Sequence, residues 1–431
     1  MAARAGKLTG GLAGKWRWRG GAGFARVFSS ADRAAAAAGV DGWLMIIVVG
    51  LVGFGLVMVY SASEALGYLW YNDPNYFFAH QLIGAVLGGV GLVVAARLDY
   101  HNLSRLARPA MGVMLVLLVV VLIPHVGSQH FGAQRWFQVG PLSVQPSAIA
   151  VGVAIVFFSR WLTDREGSVR SLRGVRDYII VLAVLLALVL AERDFGSSIV
   201  IAATALILLA LAGARKRHLL LIIVGFGASS AALIGLVAYR ADRLAHFLNP
   251  CAAALGTGFQ NCQALYAFGS GGIFGVGLGN SVQKYEWLPE AHTDFIFAII
   301  GEELGLIGTV TVLGAFLFLA WRGVRASLRA PDRFGALLAG GITSWICMQA
   351  FINVMAVTGV IPTTGIPLPF ISYGGTSLAT TLVGMGILLN ISAQGRRQGT
   401  TNRAHVDRWG GNWGSLDASS GGRARSPKRS S

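Results

Sequence analysis

Between Leu288 and Gly305 the chain reads LPEAHTDFIFAIIGEELG. Five ionisable side chains, Glu290, His292, Asp294, Glu302 and Glu303, fall at or inside a run otherwise apolar enough to cross a membrane. A carboxylate has two uses in that setting. At the edge of a bilayer, an ionised aspartate can act as general base on a bound hydroxyl. Deeper, a carboxylate is costly and is kept where it is hydrogen-bonded, paired or protonated. At ~1.5 Å and ~100° per helical residue, Glu302 and Glu303 lie about 12 Å below Asp294 and point roughly 80° and 180° away from it. They are expected to do separate, structural work inside a helix bundle. No Lys or Arg within a neighbouring apolar run stands ready to pair them.

Other polar stretches open apolar runs: VQPSA (144–148), RDFGSS (193–198) and SYGGTS (372–377). A helix start presents unpaired N–H groups and a partial positive charge, which suits a phosphate or another anion. The candidate substrate-binding residues on these starts are Gln145, Ser147, Asp194, Glu290, His292, Thr293, Ser372, Tyr373, Gly374, Gly375 and Thr376. Taken singly, each motif is equally an ordinary cap, and Asp294 itself is equally a helix-start carboxylate favoured by the dipole. GSGGIFGVGLG (269–279) resembles a nucleotide loop only superficially. No strand precedes it, and close backbone packing is the expected use of its glycines.

The elements that must position these residues are membrane helices. Hydrophobic residues make up 54% of the 431 and charged ones only 13%, too much apolar surface for a soluble fold to bury. Spanning runs occur near 42–62, 77–97, 109–126, 146–163, 178–191, 197–214, 218–239, 293–321, 337–361 and 373–393. The expected fold is an all-α polytopic membrane protein with ten transmembrane helices. The fifth and sixth form a tight hairpin around AERDFGSS. With both termini cytoplasmic, 30 of the 35 Lys and Arg residues fall inside, and only Arg135, Arg193, Arg240, Arg243 and Lys284 fall outside; that asymmetry sets the orientation. It places a large extracytoplasmic loop, 240–292, between the seventh and eighth helices, and Asp294 at the outer surface. The net charge of +16 is thus the inside bias of a membrane protein and not a nucleic-acid footprint. Segments 1–41 and 394–431, rich in Gly, Ala, Ser and Arg, read as disordered basic cytoplasmic tails that touch anionic lipid or a partner. The basic N-terminus is not followed by a cleavable signal pattern, so the first apolar run is expected to remain as an anchor. Cys251 and Cys262 share the large outside loop, where a disulfide is possible, and Cys347 sits in an apolar run.

Five long motifs in order resemble the SEDS family (shape, elongation, division and sporulation). They are LPEAHTDFIFAIIGEELG, TGIPLPFISYGGTS (364–377), YRADRLAHFLNP (239–250), GTGFQNCQALYAFGSGGIFGVGLGNSVQKY (256–285) and GAQRWFQVG (132–140). The resemblance covers about 42–393 and is nearer the family's FtsW branch than its RodA branch. It implies a peptidoglycan glycosyltransferase of cell-wall synthesis in cell division, acting at the outer face of the bacterial cytoplasmic membrane. Its substrate would be lipid II, an undecaprenyl-pyrophosphate disaccharide-pentapeptide. Its partners would be a class B penicillin-binding protein transpeptidase and other division-complex membrane proteins. The family's essential aspartate falls on Asp294, which would deprotonate the acceptor sugar's 4-hydroxyl. Arg135, Arg240, Arg243 and Lys284 are the outside cations for the pyrophosphate, or else solvated loop charges. Trp136 would pack on sugar or lipid, or anchor at the interface. No cofactor is certain; a divalent cation, Mg²⁺ or Mn²⁺, would suit the pyrophosphate.

The fourth span departs from the family pattern. Gln145, Pro146 and Ser147 match, but Ala148 and Val151 stand where a Glu and a Lys are usual, and Arg193 stands where a Pro often precedes Asp-Phe-Gly. Losing both members of a charged pair costs less than losing one, and Arg193 would supply a replacement charge. Two other functions compete with the polymerase: a lipid II transporter, which should show polar residues and broken helices near mid-membrane, and a non-catalytic scaffold that activates the transpeptidase.

Overall fold

Apolar side chains such as Val86, Val90 and Val116 point outward from the helices and remain exposed, whereas Gln81, Ser147, Glu192, Glu302, Glu303 and Asn353 are buried between them. That inversion of the soluble pattern is what a bilayer demands. It is seen in a computed structural model that describes residues 41–124, 127–130, 133–139, 142–236, 251, 258–285 and 287–413.

In chain order the elements are α1 (Gly42–Tyr71), α2 (Tyr76–Arg97), α3 (His101–Val121), β1 (Ser128–His130), β2 (Ala133–Val139), β3 (Leu142–Val144), α4 (Pro146–Asp164) and α5 (Leu172–Ala191). They continue with α6 (Phe195–Leu211), α7 (Lys216–Leu236), α8 (Phe259–Gly271), α9 (Ile296–Leu328), α10 (Arg333–Val357) and α11 (Gly375–Trp413). Among the described residues eight helices, α1–α5 and α9–α11, are long and apolar enough to cross a membrane. Helix α6 is apolar but has 17 residues. With α7 these are the elements on which the expected ten spans would rest.

Three features depart from the sequence reading. The segment between α3 and α4 is not merely a link: β1, β2 and β3 form an antiparallel sheet in the order β1-β2-β3, with Phe137 opposite Val144 and Gln138 opposite Ser143. The expected C-terminal tail boundary at 394 is crossed by α11, which continues to Trp413. Arg396 on that extension joins Arg322 of α9 in pairing with Asp41, the N-cap of α1, so the first and last helices are tied together at the basic end. The expected single eighth span is two helical pieces joined at Gly305, whose backbone (φ 66°, ψ −160°) is non-helical.

Helices α2 and α11 pack backbone to backbone. A Cβ on Gly84 would lie 2.7 Å from the Gly375 Cα, so no larger residue fits at position 84 without parting the helices. This contact brings the start of α11 beside α2 and closes the end of the bundle on which the candidate residues gather.

Candidate active site

Asp294 lies just before α9 in a turn that its neighbours hold. The Thr293 hydroxyl donates to the Glu290 carboxylate (2.7 Å), and the N–H groups of Thr293 and Phe295 both donate to the Glu290 carbonyl (3.2 Å each). Glu290 adopts positive φ to make this possible. From α10, the Asn353 amide donates to the Asp294 carbonyl (2.8 Å) and to the Ile366 carbonyl (2.7 Å). The N-cap of α9 is Phe295, whose own side chain does not cap the helix. The Asp294 carboxylate faces Gly365, 3.5 Å from where a Cβ on that glycine would stand.

The other side of the Gly365 segment belongs to the α5–α6 hairpin. The carbonyls of Thr364 and Gly365 each lie 3.2 Å from where a Cβ on Gly196 would stand. Gln145, Ser147 and Asp194 come together here as expected, but largely on one another. The Asp194 carboxylate caps α6 through the Ser197 N–H (3.0 Å) and hydroxyl (2.7 Å), and it also accepts from Ser147 (2.8 Å) and Gln145 (3.0 Å). Thr376 completes the join, donating to the Ser143 carbonyl (2.9 Å) and accepting from the Gln145 N–H (3.4 Å).

Residues 372–375 are likewise committed to positioning. The Ser372 hydroxyl accepts from the Leu368 N–H (2.7 Å), the Tyr373 N–H donates to the His292 carbonyl (2.9 Å), and Gln81 bridges the Ser372 carbonyl and the Gly374 N–H (3.0 and 2.9 Å). His292 is packed between the rings of Phe77 and Tyr373. Burial pushes its imidazole down to about 4, so at neutral pH it is an uncharged ring. Gln81 and Asn353 are the polar residues that the sequence reading missed in this network; polar amides inside spanning runs were the signal.

Lys284 is a correction. Its side chain is 2% exposed and its ammonium lies 3.8 Å from Glu303, itself 0% exposed; it also donates to the Gly279 carbonyl (2.7 Å). It is a buried partner, not a cation open to a pyrophosphate. It is also the charge that Glu303 lacked in the sequence reading, supplied by a loop instead of a span. The Ser61 hydroxyl stands 2.7 and 2.8 Å from the two Glu303 oxygens. Glu302 accepts from the Ser281 hydroxyl (2.5 Å) and the Val282 N–H (3.0 Å). The glycine-rich segment lies against the break in α9 and restores its hydrogen bonds. Leu306 and Ile307 donate to the carbonyls of Gly272 and Ile273, and Val276 and Gly277 donate to those of Glu302 and Glu303. Close backbone packing is thus the use of these glycines.

Arg135 and Trp136 lie on β2, half-buried. Arg240 and Arg243 lie outside the described residues. Cys251 and Cys262 are joined by a disulfide, with Cα atoms 5.1 Å apart. Among the described residues no three His, Cys, Asp or Glu side chains gather to hold a metal ion. A cleft of about 230 Å³ between α3 and α4, lined by Arg108, Arg160, Trp161 and Arg165, lies at the end of α4 away from Gln145 and is not part of this site.

Residues 42–397 match the family model described as cell cycle protein, FtsW/RodA/SpoVE. The chain is 43% identical over 355 residues to a probable peptidoglycan glycosyltransferase FtsW of Trichlorobacter lovleyi, covering 81% of this chain and 92% of the relative. It is 40% identical to stage V sporulation protein E of Bacillus subtilis, covering 82% and 97%. Among solved structures it resembles a chain of a peptidoglycan synthase complex that coordinates polymerisation and crosslinking (TM-score 0.68, 26% identity, 83% and 98% covered). It also resembles the rod shape determining protein RodA of Thermus thermophilus (TM-score 0.60, 28% identity, 82% and 96% covered). By sequence and by fold, this multi-pass membrane protein belongs to the FtsW/RodA/SpoVE family.

Proposed function

We propose that this chain is a peptidoglycan glycosyltransferase of the FtsW type, polymerising lipid II at the outer face of the bacterial cytoplasmic membrane during division. The observation that carries the reading is Asp294: its backbone is pinned from α10, and its carboxylate is turned toward Gly365. In the reaction, Asp294 takes the proton of the acceptor sugar's 4-hydroxyl. The oxygen forms a bond to C1 of the donor sugar, and the C1–O bond to the pyrophosphate breaks, its electron pair leaving with the phosphate. The relatives' names and the synthase-complex neighbour support the activity and a transpeptidase partner of the penicillin-binding type; lipid II and further division proteins as partners belong to the proposal.

The transporter reading draws on the broken helix at Gly305 and the carboxylates beside it. Those groups are spent, however: the break is bridged by four backbone hydrogen bonds, Glu302 is held by Ser281 and Val282, and Glu303 by Ser61 and Lys284. A transport path needs polar groups open to cargo, and the polymerase is the better reading. The test is purified protein with its transpeptidase partner and fluorescent lipid II. Glycan chains with wild type and none with Asp294→Ala, both melting alike, support it. Chains from Asp294→Ala would overturn it.

A further inference from the structure

The α5–α6 hairpin carries a carboxyl that the network above does not use. Glu192 is 1% exposed, and neither of its oxygens makes a hydrogen bond of normal geometry; the nearby Ser147 hydroxyl is spent on Asp194 (2.8 Å). Its neighbour Asp194, by contrast, takes four hydrogen bonds. Within electrostatic reach is Arg135 of β2, whose Nε is also buried without a partner. The Thr364 hydroxyl, on the segment that separates this hairpin from Asp294, is a third such atom. A buried polar atom without a partner is penalised, more heavily when charged. Three unmet groups on separate elements, around one end of the bundle, match a ligand rich in hydroxyls and amides.

We infer that Glu192 and Arg135 form a sugar-contacting subsite of the reaction centre, holding hydroxyl or acetamido groups of the lipid-linked saccharide beside Asp294. This rests on the reading of the protein as a glycosyltransferase and names where that substrate is held. Burial, then the nearby Asp194 charge, push the Glu192 carboxyl up to about 8, against the pull of Ser147 and Arg135. The charged groups around it are Asp194 and Arg193 on the hairpin and Arg135 on β2; Gln145 and Ser147 of the α4 start and Thr376 of α11 are neutral. At neutral pH Glu192 therefore carries a proton and donates it in a hydrogen bond to a sugar oxygen. It accepts no proton from the reaction, which remains the task of Asp294.

The test uses the full chain in nanodiscs and measures both binding of lipid II and its polymerisation between pH 6.5 and 9. Glu192→Ala and Arg135→Ala are each expected to weaken binding about tenfold or more, as loss of a hydrogen bond to a charged or buried partner does, with kcat changed less than KM. Wild-type affinity falls as pH rises through about 8, because the donor is lost. Glu192→Gln, whose amide donates at every pH, keeps near-normal affinity at pH 7 and loses the pH dependence. Unaltered binding by both alanine variants, or an unchanged pH profile in Glu192→Gln, overturns the inference while leaving the glycosyltransferase reading intact. Binding without polymerisation by wild type overturns that reading instead, and the affinities still decide the subsite. A variant that loses only thermal stability shows Glu192 to be structural and also overturns the inference.

Discussion

Replacing Lys284 by methionine separates the two roles that sequence and structure give this residue. In the structure its ammonium faces Glu303 at 3.8 Å with both side chains out of solvent. Removing one partner of a buried pair leaves the other charge uncompensated, which costs about 3–5 kcal/mol; an exposed loop pair is worth about 0–1 kcal/mol. Ser61 remains on Glu303, so the lower end of that range, about 3 kcal/mol, is expected. It should appear as a fall in Tm of roughly 5–10 °C in detergent. Lipid II polymerisation, assayed well below the melting temperature, should remain. Adding Glu303→Gln neutralises both sides and should return most of the lost stability, because the two effects are coupled. A Lys284→Met protein that melts like wild type but makes no glycan would refute the argument. It would show the lysine to be a substrate cation, as its position in an outside loop first suggested.

Gly305→Ala should be severely destabilising. Position 305 has φ 66°, and a Cβ there would sit 2.4 Å from the Gly275 N and 2.5 Å from the Ile273 carbonyl oxygen, both backbone; a melting temperature within 2 °C of wild type, roughly 1 kcal/mol or less, would refute the packing argument. At the basic end His101 bridges Asp99 (2.7 Å) and Asp332 (2.6 Å). Half-exposed pairs of this kind are worth about 0–1 kcal/mol each, so His101→Ala should lower Tm by only a few degrees, and a fall of more than about 8 °C would count against that reading. Reducing the Cys251–Cys262 bridge, which spans 11 residues, should cost at most about 3 kcal/mol by loop entropy. Thiol counting before and after reduction, with Tm measured on both samples, checks this.

What the sequence disclosed is what local chemistry encodes. Pro146 opens α4 where a first-turn proline is expected, and α2 runs from Tyr76 to Arg97 against an expected 77–97, because an unbroken apolar run is its own boundary. The ends of α9 and α11 were set too early, since charged residues such as Arg325 and Arg396 leave a span without ending a helix. The gathering of Gln145, Ser147, Asp194, His292 and residues 372–376 was legible because capping residues mark helix starts and the topology puts those starts at one end. Their hydrogen bonds to one another were not legible: Gln81 with Ser372 and Gln145 with Asp194 are long-range choices. Neither was Lys284–Glu303, since a loop lysine 19 residues before its carboxylate partner reads as solvated. The β1–β3 sheet was hidden in a short polar linker whose alternation around Arg135 and Phe137 spans only a few residues.

The break in α9 explains why so apolar a protein keeps Glu302 and Glu303. A continuous helix would satisfy its own backbone; one broken at Gly305 inside a bilayer must find replacements, because lipid offers none. The segment 272–277 supplies them with its own N–H and C=O groups, and it can approach so closely because a side chain at Gly275 would collide with the Glu303 carbonyl at 2.1 Å. The two carboxylates then fasten the following turn, Glu302 through Ser281 and Val282 and Glu303 through Lys284. The first piece of α9 is in this way clamped from the loop side while Asn353 clamps its entry from α10. Asp294 sits at that entry. The buried carboxylates act at a distance of about two helical turns to fix where Asp294, the proposed base, stands, so variants at Glu302 should move Asp294 and impair polymerisation without touching substrate.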